Sequence, residues 1–401
     1  MVVFLLAVVS WVQAGLPDHL LRLARIKHQM ADNLRRAPNY VCLATIERHR
    51  KSGPRASFLH TDTVRLEVAE VGDKELFAWP GESRLDERDL AQMVGGGMVA
   101  TGEYASHAKS VFESNAPTFS YVGEEELAGR RSFHYQYRIS EWMSQFSIKV
   151  GGQQAVVAYH GSFWADAGTL ELLRLTIEAE NIAPELRLSS SRITLDYAKV
   201  RIGASDFLLP QRAELVMEQL SGETSRNLTQ FSQCRQYQAE SVLKFDLPAE
   251  TPQPQPVAEI VLPTGLRLDL RLETALDSRQ AVVGDTLIAR LVKDLKQAGD
   301  VIVPAGATAH GRIRRLDRQR GYYAVGLEFY ELEFGQVRAR FTARLEKIPT
   351  VLPGASAGPA ARIPRPPEIV NDRAGVGTFF VNSGRFNIPH LEMVWRTQVF
   401  P

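Results

Sequence analysis

The sequence predicts a mainly β protein of the α+β type: a helix-covered antiparallel half-barrel followed by a small β-barrel. Residues 153–181 carry the clearest signal. Apolar and polar side chains alternate there on both sides of an Asp166-Ala167-Gly168 turn, which is typical of an antiparallel hairpin. The same alternation recurs along most of the chain, whereas helical spacing is confined to a few stretches.

Length and composition indicate an ordinary globular protein with two domains. The chain has 401 residues, too many for one small core, and 44% of them are hydrophobic and 23% charged. The net charge of +1 provides no overall field that would attract nucleic acid or an anionic membrane. No nucleic-acid partner is therefore expected.

Residues 1–14 are almost wholly apolar and end in a small-residue pattern, Val12-Gln13-Ala14. The run is too short to span a bilayer, so we interpret it as a cleaved signal peptide that directs the chain to the periplasm or outside the cell. No Lys or Arg precedes the apolar run. A buried N-terminal segment and a membrane anchor are therefore the alternatives.

The first domain is predicted to span residues 15–246. It begins with a helix over residues 20–36, for which Asp18 is the expected N-cap and Pro38 the stop. Two short helices form an insertion, and a Gly95-Gly96-Gly97 hinge separates them. Strands are predicted at residues 39–50, 63–71, 73–80, 118–122, 131–139, 146–150, 190–202, 207–219 and 228–245, in addition to the hairpin. So many long strands cannot stay flat, and twist should curl them into a half-barrel.

A proline-rich linker at 247–257 separates the first domain from a second all-β unit at 258–348. Its leading strand is predicted at residues 262–272, where leucines alternate around Gly265. A Pro/Gly/Ala linker follows at 349–368. Residues 369–401 are predicted to form a C-terminal hairpin that either completes the second barrel or adds a strand to a partner.

Cys42 and Cys234 are the two cysteines. In an exported chain they either form a disulfide that closes nearly the whole first domain, or remain two buried thiols. Loop-closure entropy gives such a bond roughly 4–5 kcal/mol before strain is subtracted.

Aromatic residues are concentrated in the strands of the first domain. They either line a cavity for an apolar ligand or form the core beneath the helices, because periodicity does not separate these two cases. The candidate lining residues are Tyr121, Phe133, Tyr135, Phe146, Phe163 and Trp164.

One dense basic cluster lies in the second domain next to Tyr322 and Tyr323. It either binds phosphate groups of lipid or lipopolysaccharide, or belongs to a solvated hairpin whose charge is offset by Asp317 and other acids. Its members are Arg312, Arg314, Arg315, Arg318 and Arg320.

Nothing in the sequence predicts an enzyme. His160, Ser162 and Asp166 lie on one hairpin, but no G-x-S-x-G elbow surrounds the serine and no oxyanion donors are evident. The nine histidines are scattered and no Cys-x-x-Cys occurs, so neither a metal site nor a cofactor is expected.

Two resemblances extend this interpretation. A helix leading into an antiparallel sheet, with a Trp164-x-Asp166-x-x-Thr169 turn, resembles the LolA/LolB/RseB group over residues 20–245. That resemblance implies a periplasmic protein whose curved sheet encloses an apolar cavity for acyl chains or a peptide. Residues 262–345, with a Val303-Pro304-Ala305-Gly306 turn, resemble the β-barrel of the TrbI-type conjugation channel subunit, which implies a shared barrel.

We therefore expect a non-enzymatic, exported envelope protein that binds a lipid acyl chain or a lipoprotein segment in the half-barrel. The alternative is a structural or scaffold subunit of an envelope assembly that contacts a protein partner through its C-terminal barrel.

Overall fold

The structure is a computed structural model that describes residues 16–72, 74–82, 85, 90–94, 105–150, 152–237, 258–319, 321–349 and 368–399. The predicted signal peptide, the Gly95-Gly96-Gly97 hinge and both linkers lie outside these residues, apart from the ends of the second linker. The described chain is mainly β, as predicted.

Up to residue 237, the described ranges contain three α-helices and twelve strands. The helices are α1 (Asp18–Arg36), α2 (Leu90–Val94) and α3 (Ser106–Phe112). The strands are β1 (Tyr40–Lys51), β2 (Leu59–Val71), β3 (Lys74–Ala78), β4 (Thr118–Leu127), β5 (Arg130–Ile139), β6 (Ser147–Val150), β7 (Gln153–Val156), β8 (Ala158–Asp166), β9 (Leu172–Glu180), β10 (Leu188–Ile202), β11 (Ser205–Gln219) and β12 (Thr224–Gln236).

Only strands are described after residue 257. They are β13 (Ala258–Val261), β14 (Arg267–Leu272), β15 (Leu276–Asp277), β16 (Thr286–Leu291), β17 (Leu295–Gln297), β18 (Asp300–Val303), β19 (Thr308–Gln319), β20 (Tyr322–Phe334), β21 (Val337–Arg340), β22 (Thr342–Lys347), β23 (Ile369–Arg373), β24 (Val376–Val381), β25 (Asn387–Ile388) and β26 (Leu391–Gln398).

Ten antiparallel strands form the first sheet, in the order β3-β2-β1-β12-β11-β10-β9-β8-β5-β4. The contacts of helix α1 show that this sheet is curled. The first turn of the helix contacts β5, whereas its C-terminal part contacts β11, which is separated from β5 by three strands in the sheet. The Tyr135 hydroxyl of β5 donates to the His19 carbonyl at 2.8 Å, and Asn33 exchanges two 2.8 Å hydrogen bonds with the backbone of Leu208 on β11. The curled half-barrel is as predicted.

The prediction of a sheet covered by helices is not confirmed. Helix α1 has 19 residues, but α2 and α3 have only 5 and 7, against ten strands of which several exceed 12 residues. The predicted N-cap also differs. Pro17 is the N-cap, and Asp18 is the first residue of helix α1, where its carboxylate still complements the helix dipole.

The second sheet runs β13-β21-β20-β19-β16-β14-β26-β22, and β24 with β23 joins it on β20. Strand β20 pairs with β24 through residues 323–328 and with β21 through residues 331–334. Strand β22, at the opposite end of the sheet, comes back to contact β23. The side chain of Asn371 on β23 donates through Nδ2 to the Leu345 carbonyl and accepts through Oδ1 from the Leu345 backbone N–H, each at 3.0 Å. The curled sheet therefore nearly closes on itself.

The tail differs from a single hairpin over residues 369–401. Strands β23 and β24 form a hairpin, but the two long strands β24 and β26 do not pair with each other. Strand β24 pairs with β20 and β23, whereas β26 inserts between β14 and β22. Trp395 of β26 is fully buried. The tail therefore completes the second sheet, and the alternative in which it is a free strand for a partner is not what the structure shows.

The two sheets contact each other directly. Strand β3 pairs with β2 only along residues 67–71, and Val283 occupies the edge of β2 beyond it. The Arg65 amide donates to the Val283 carbonyl at 2.8 Å, and the Val283 amide donates to the Thr63 carbonyl at 3.0 Å. We call these contacts, together with the Arg65–Asp285 ion pair at 2.8 Å, the junction.

No helix in the described ranges is sufficiently long and apolar to cross a membrane.

Candidate functional site

The concave face of the first sheet is built by the inward-facing residues of β5 and β8. Phe133, Tyr135 and Tyr137 are buried on β5, and Tyr159 and Phe163 are buried on β8. Every second residue of a strand points to the same face, so alternation in the sequence places all five side chains inside the curl. We call this set, together with Tyr121 of β4, the aromatic face.

The aromatic face is closely packed. The Tyr135 and Phe163 rings are stacked with centroids 5.1 Å apart and planes 9° apart. Tyr121 lies 5.0 Å from Tyr135, and Phe112 of α3 meets Phe163 edge-on at 5.2 Å. The structure thus brings together most of the predicted lining residues, and they pack against one another in the core.

Helix α1 closes one side of the aromatic face. Its Arg22 guanidinium lies 4.2 Å from the Phe133 ring centroid and 5.2 Å from that of Tyr121. Lys27 lies 5.0 Å from the centroid of Phe119. Burial lowers the pKa of Lys27. Such cation–π contacts cover apolar rings while the charged groups remain near solvent.

Helix α3 closes the other side with its buried residues His107, Ala108, Val111 and Phe112. Lys109 donates to Glu70 of β2 at 2.6 Å. His107 is buried, and its ring meets that of Phe146 edge-on at 5.2 Å. Burial lowers the pKa of His107 to about 4, so the imidazole is neutral at pH 7. Its Nε2 atom has no hydrogen-bond partner among the described residues.

Two buried tyrosines add polar groups to the same interior. The Tyr137 hydroxyl donates to the Thr176 carbonyl at 2.8 Å and lies directly over Gly161. The Tyr197 hydroxyl of β10 is buried without a partner in the described part of the chain. Burial raises the pKa of both tyrosines above their ordinary value.

Sequence reasoning did not select His107 or Tyr197. The signal was present, because His107 and Val111 have helical spacing, and Tyr197 continues the alternation of Ile193 and Leu195 along β10.

Trp164 lies on the opposite, outer face of the sheet, so it does not line the interior. Its ring is stacked on His134 with centroids 4.5 Å apart, and its Nε1 atom donates to Glu125. Trp164 and Phe163 are adjacent on β8, and adjacent strand residues point to opposite faces. The prediction that both residues line one cavity is wrong for this reason.

His160, Ser162 and Asp166 each have separate partners and do not form a catalytic group. His160 pairs with Glu180 at 2.9 Å, and the Ser162 amide donates to the Thr176 hydroxyl at 2.9 Å. Asp166 accepts from the amides of the turn and from Arg130. The Thr169 amide, with further help from Gly168 and Arg130, holds the pKa of Asp166 below its ordinary value.

Two members of the arginine cluster of the second domain are directed toward the first sheet, next to the junction. Arg312 is only 2% exposed and pairs with Glu82 at 2.5 Å. Arg314 pairs with Glu328 at 2.5 Å. Both guanidinium groups contact the Trp79 ring, at 5.5 and 4.9 Å from its centroid. For Arg312 and Arg314, the prediction of an exposed phosphate-binding patch is therefore wrong.

The remaining described members of the cluster, Arg315 and Arg318, are more exposed than Arg312. Arg315 and Arg318 are half-buried, and Arg315 lies 3.5 Å from Asp317. Arg320 lies outside the described residues. Asp317 offsets part of the charge.

The Cys42–Cys234 disulfide is present, as predicted. It joins β1 to β12, the first and last long strands of the first sheet, which are neighbours. Between the pairs Val41–Arg235 and Leu43–Ser232, β12 carries one extra residue. Gln233 has a left-handed φ of 51° at this bulge, which lets the chain return to register beside Cys42.

A cavity of about 270 Å³ lies where β1, β2 and β12 meet the chain after β3. Most of its lining is polar, and the Arg235–Glu67 pair at 3.0 Å forms one wall. This cavity does not suit an acyl chain. Its lining residues are Val41, Glu67, Glu82, Leu85, Arg235, Gln236 and Tyr237.

No known protein family and no curated protein matches this sequence. Among solved structures, the chain is similar to a DUF1329 family protein from Desulfovibrio piger, at 12% identity and a TM-score of 0.31, over 53% of this chain and 91% of that one. A putative outer membrane lipoprotein-sorting protein domain from Vibrio parahaemolyticus matches at 14% identity and a TM-score of 0.30, over 54% and 94%.

A LolA superfamily protein from Nitrosomonas europaea matches at 14% identity and a TM-score of 0.26, also over 54% of this chain and 94% of that one. These scores are low, and the function proposed below does not depend on the likeness. The resemblance of the second domain to the TrbI-type barrel stays a prediction.

Proposed function

We propose that this chain is an exported envelope protein that binds an apolar ligand, either a lipid acyl chain or a lipoprotein segment, on the aromatic face of the first sheet. The observation that carries the proposal is a continuous apolar concave face closed on one side by a short helix. A disulfide in the first sheet supports an oxidising compartment such as the periplasm.

Access of the ligand to the aromatic face requires α3 to move, because Phe112 of this helix packs on Phe163 with ring centroids 5.2 Å apart. Phe112 withdraws from Phe163 in that movement, and the Lys109–Glu70 pair breaks. An entering acyl chain then replaces the helix against the rings. Its burial contributes about 25 cal/mol per Å² of apolar surface, which offsets the cost of displacing α3.

The first test is native mass spectrometry of the full chain purified from a membrane-containing lysate. We expect a bound lipid at one equivalent, and saturable binding of a fluorescent fatty acid after the lipid is removed. Protein that carries no lipid and shows no saturable binding of the probe would contradict the proposal.

The second test asks whether α3 is the entrance. Lys109→Ala removes the ion pair to Glu70, so we expect the fluorescent fatty acid to bind several-fold faster. Lys199→Ala is the matched control, since Lys199 forms an equally short pair with Glu171 at 2.6 Å on the exposed surface. Equal association rates in Lys109→Ala, the control and the wild-type protein would exclude α3 as the gate.

A further inference from the structure

Three side chains on the outer surface of the second sheet converge as ligands for a metal ion do. His310 lies on β19, and Glu331 and Glu333 lie on β20. One ligand atom from each can be chosen so that all three lie within 4.8 Å of one another. They are half-buried, and this surface is separate from the aromatic face of the first sheet.

Strand pairing explains the convergence. His310 is paired directly with Glu331, and Glu333 is two residues further along the same strand, so it points to the same face. Ala309 and Leu332, the adjacent residues, are fully buried on the inner face. A bulge at Tyr330 ends the regular register immediately beside the pair. Bulges of this kind are frequent at sites where a side chain must be re-aimed.

Two of the three side chains already interact without an ion, and the third lies beside them. His310 Nε2 lies 2.9 Å from Glu333 Oε2, and the side chain of Glu331 is only 14% exposed. Ligands at about 2.1 Å from a tetrahedral ion are roughly 3.4 Å apart. Small rotamer changes on two rigid, paired strands therefore suffice to bring all three ligand atoms into that arrangement.

Charge also favours a divalent cation here. A neutral imidazole and two carboxylates carry two negative charges, which a divalent ion neutralises. Arginines of the neighbouring strand β21 compensate part of this charge. Arg340 and Arg338 are paired in register with Glu331 and Glu333; Arg338 lies 3.8 Å from Glu331, and Arg340 forms its ion pair with Glu259 at 3.2 Å.

We propose that His310, Glu331 and Glu333 form a binding site for a divalent transition-metal ion of the Zn²⁺ type. One imidazole nitrogen with two carboxylates suits Zn²⁺, Co²⁺ or Ni²⁺, whereas Mg²⁺ and Ca²⁺ prefer oxygen ligands alone. Three protein ligands leave one tetrahedral position open for water or for an anionic group of another molecule. The ion also ties β19 to β20, so binding stabilises the second sheet.

The test is a titration of the full chain with Zn²⁺ against a chromophoric chelator. We expect one equivalent to bind, and a thermal midpoint that rises with Zn²⁺. His310→Ala should weaken binding at least tenfold and abolish the rise in midpoint. Glu333→Gln, which keeps the side-chain volume, provides a second variant and should weaken binding in the same direction.

The first sheet offers a matched control. His160 pairs with Glu180 at 2.9 Å and is opposite Glu178, which is the same cross-strand arrangement. The two glutamates beside His160 are each paired with an arginine, since Arg138 lies 2.7 Å from Glu180 and Arg192 lies 3.0 Å from Glu178. His160→Ala should leave Zn²⁺ binding unchanged.

Three results would overturn the proposal. The first is the absence of saturable Zn²⁺ binding to the wild-type chain. The second is equal affinity in the wild-type chain, His310→Ala and Glu333→Gln. The third is displacement of Zn²⁺ by a small excess of Mg²⁺, which would indicate adventitious binding by carboxylates.

Discussion

Gly161 shows how one residue makes room for a buried polar contact. A Cβ atom added there would lie 1.8 Å from the Thr176 carbonyl oxygen and 2.8 Å from the Tyr137 hydroxyl. We therefore expect Gly161→Ala to break the hydrogen bond between these groups and to lower the free energy of unfolding by about 3 kcal/mol, the upper end for overpacking. Urea denaturation measures this change.

Gly168 is the control for Gly161, because it lies in the turn of the same hairpin and has only the Asp166 carboxylate near its added Cβ, at 3.4 Å. Gly168→Ala should change the free energy of unfolding by less than about 1 kcal/mol. If both substitutions cost the same, packing over Gly161 is not the cause.

Sequence reasoning at this scale identified which residues are buried but not what they touch. Alternation placed Phe133, Tyr135 and Phe163 on one face because a half-buried strand requires it. It did not show whether the face encloses space, since that depends on the helix packed against it. His310 and Glu331 were missed because they meet only through strand pairing.

At the scale of elements, α3 carries a buried neutral histidine, His107, and this gives the stability of the protein a pH dependence. The pKa of His107 falls from 6.5 in the unfolded chain to about 4 in the folded one. The unfolded state therefore takes up a proton as the pH falls below 6.5, and the folded state does not. The His107 contribution is complete above pH 6.5, and about 3 kcal/mol of it is lost by pH 4.

Urea denaturation at pH 7, 5.5 and 4 tests this dependence. His107→Leu places an apolar side chain against Phe146. This variant should lose the part of the pH dependence of the free energy of unfolding that His107 contributes. His28→Gln is the control, since the side chain of His28 is 76% exposed on α1, and it should retain the wild-type slope. Equal slopes in all three proteins would contradict the assignment.

The disulfide acts at the same scale, since it fastens the first long strand of the sheet to the last. It closes a loop across a sequence separation of 192 residues. Loop-closure entropy gives about 5 kcal/mol for such a loop. The double variant Cys42→Ser/Cys234→Ser should lose up to that amount. The wild-type protein under reductant should lose a similar amount, and a loss below about 1 kcal/mol would show that the reduced chain is already restricted.

The elements themselves were predicted better than their partners. Strands β8 and β9 and their turn appear as the alternation and Asp166-Ala167-Gly168 indicated. The tail also alternates, and both of its long strands exist. Its pairing was wrong because alternation reports which face is buried and does not report which strand is the neighbour.

At the scale of the whole molecule, the junction decides whether the two sheets act as one body. The proline-rich linker predicted a tethered second domain, and no element was predicted at residues 281–285. In the structure this turn pairs with β2, and Trp79 is contacted by Arg312 and Arg314. Such a contact joins residues more than 200 positions apart, which local patterns do not encode.

Gly284 is the residue that permits this close approach. It has a left-handed φ of 104°, and an added Cβ atom would lie 2.2 Å from the Arg65 carbonyl oxygen and 3.2 Å from the Trp79 ring. Gly284→Ala should therefore push the two sheets apart while leaving the interior of each intact. We expect calorimetry to show one unfolding transition for the wild-type protein and two for the variant.

Gly53→Ala is the control for the junction, because no atom lies within 4 Å of its added Cβ and its φ is not left-handed. It should retain a single transition at the wild-type midpoint. Hydrogen exchange supplies a second measurement: the amides of Arg65 and Val283 should lose protection in Gly284→Ala, whereas those of β8 should not. If these two amides remain as protected as in the wild-type protein, the junction does not hold the sheets together, and the linker alone connects them.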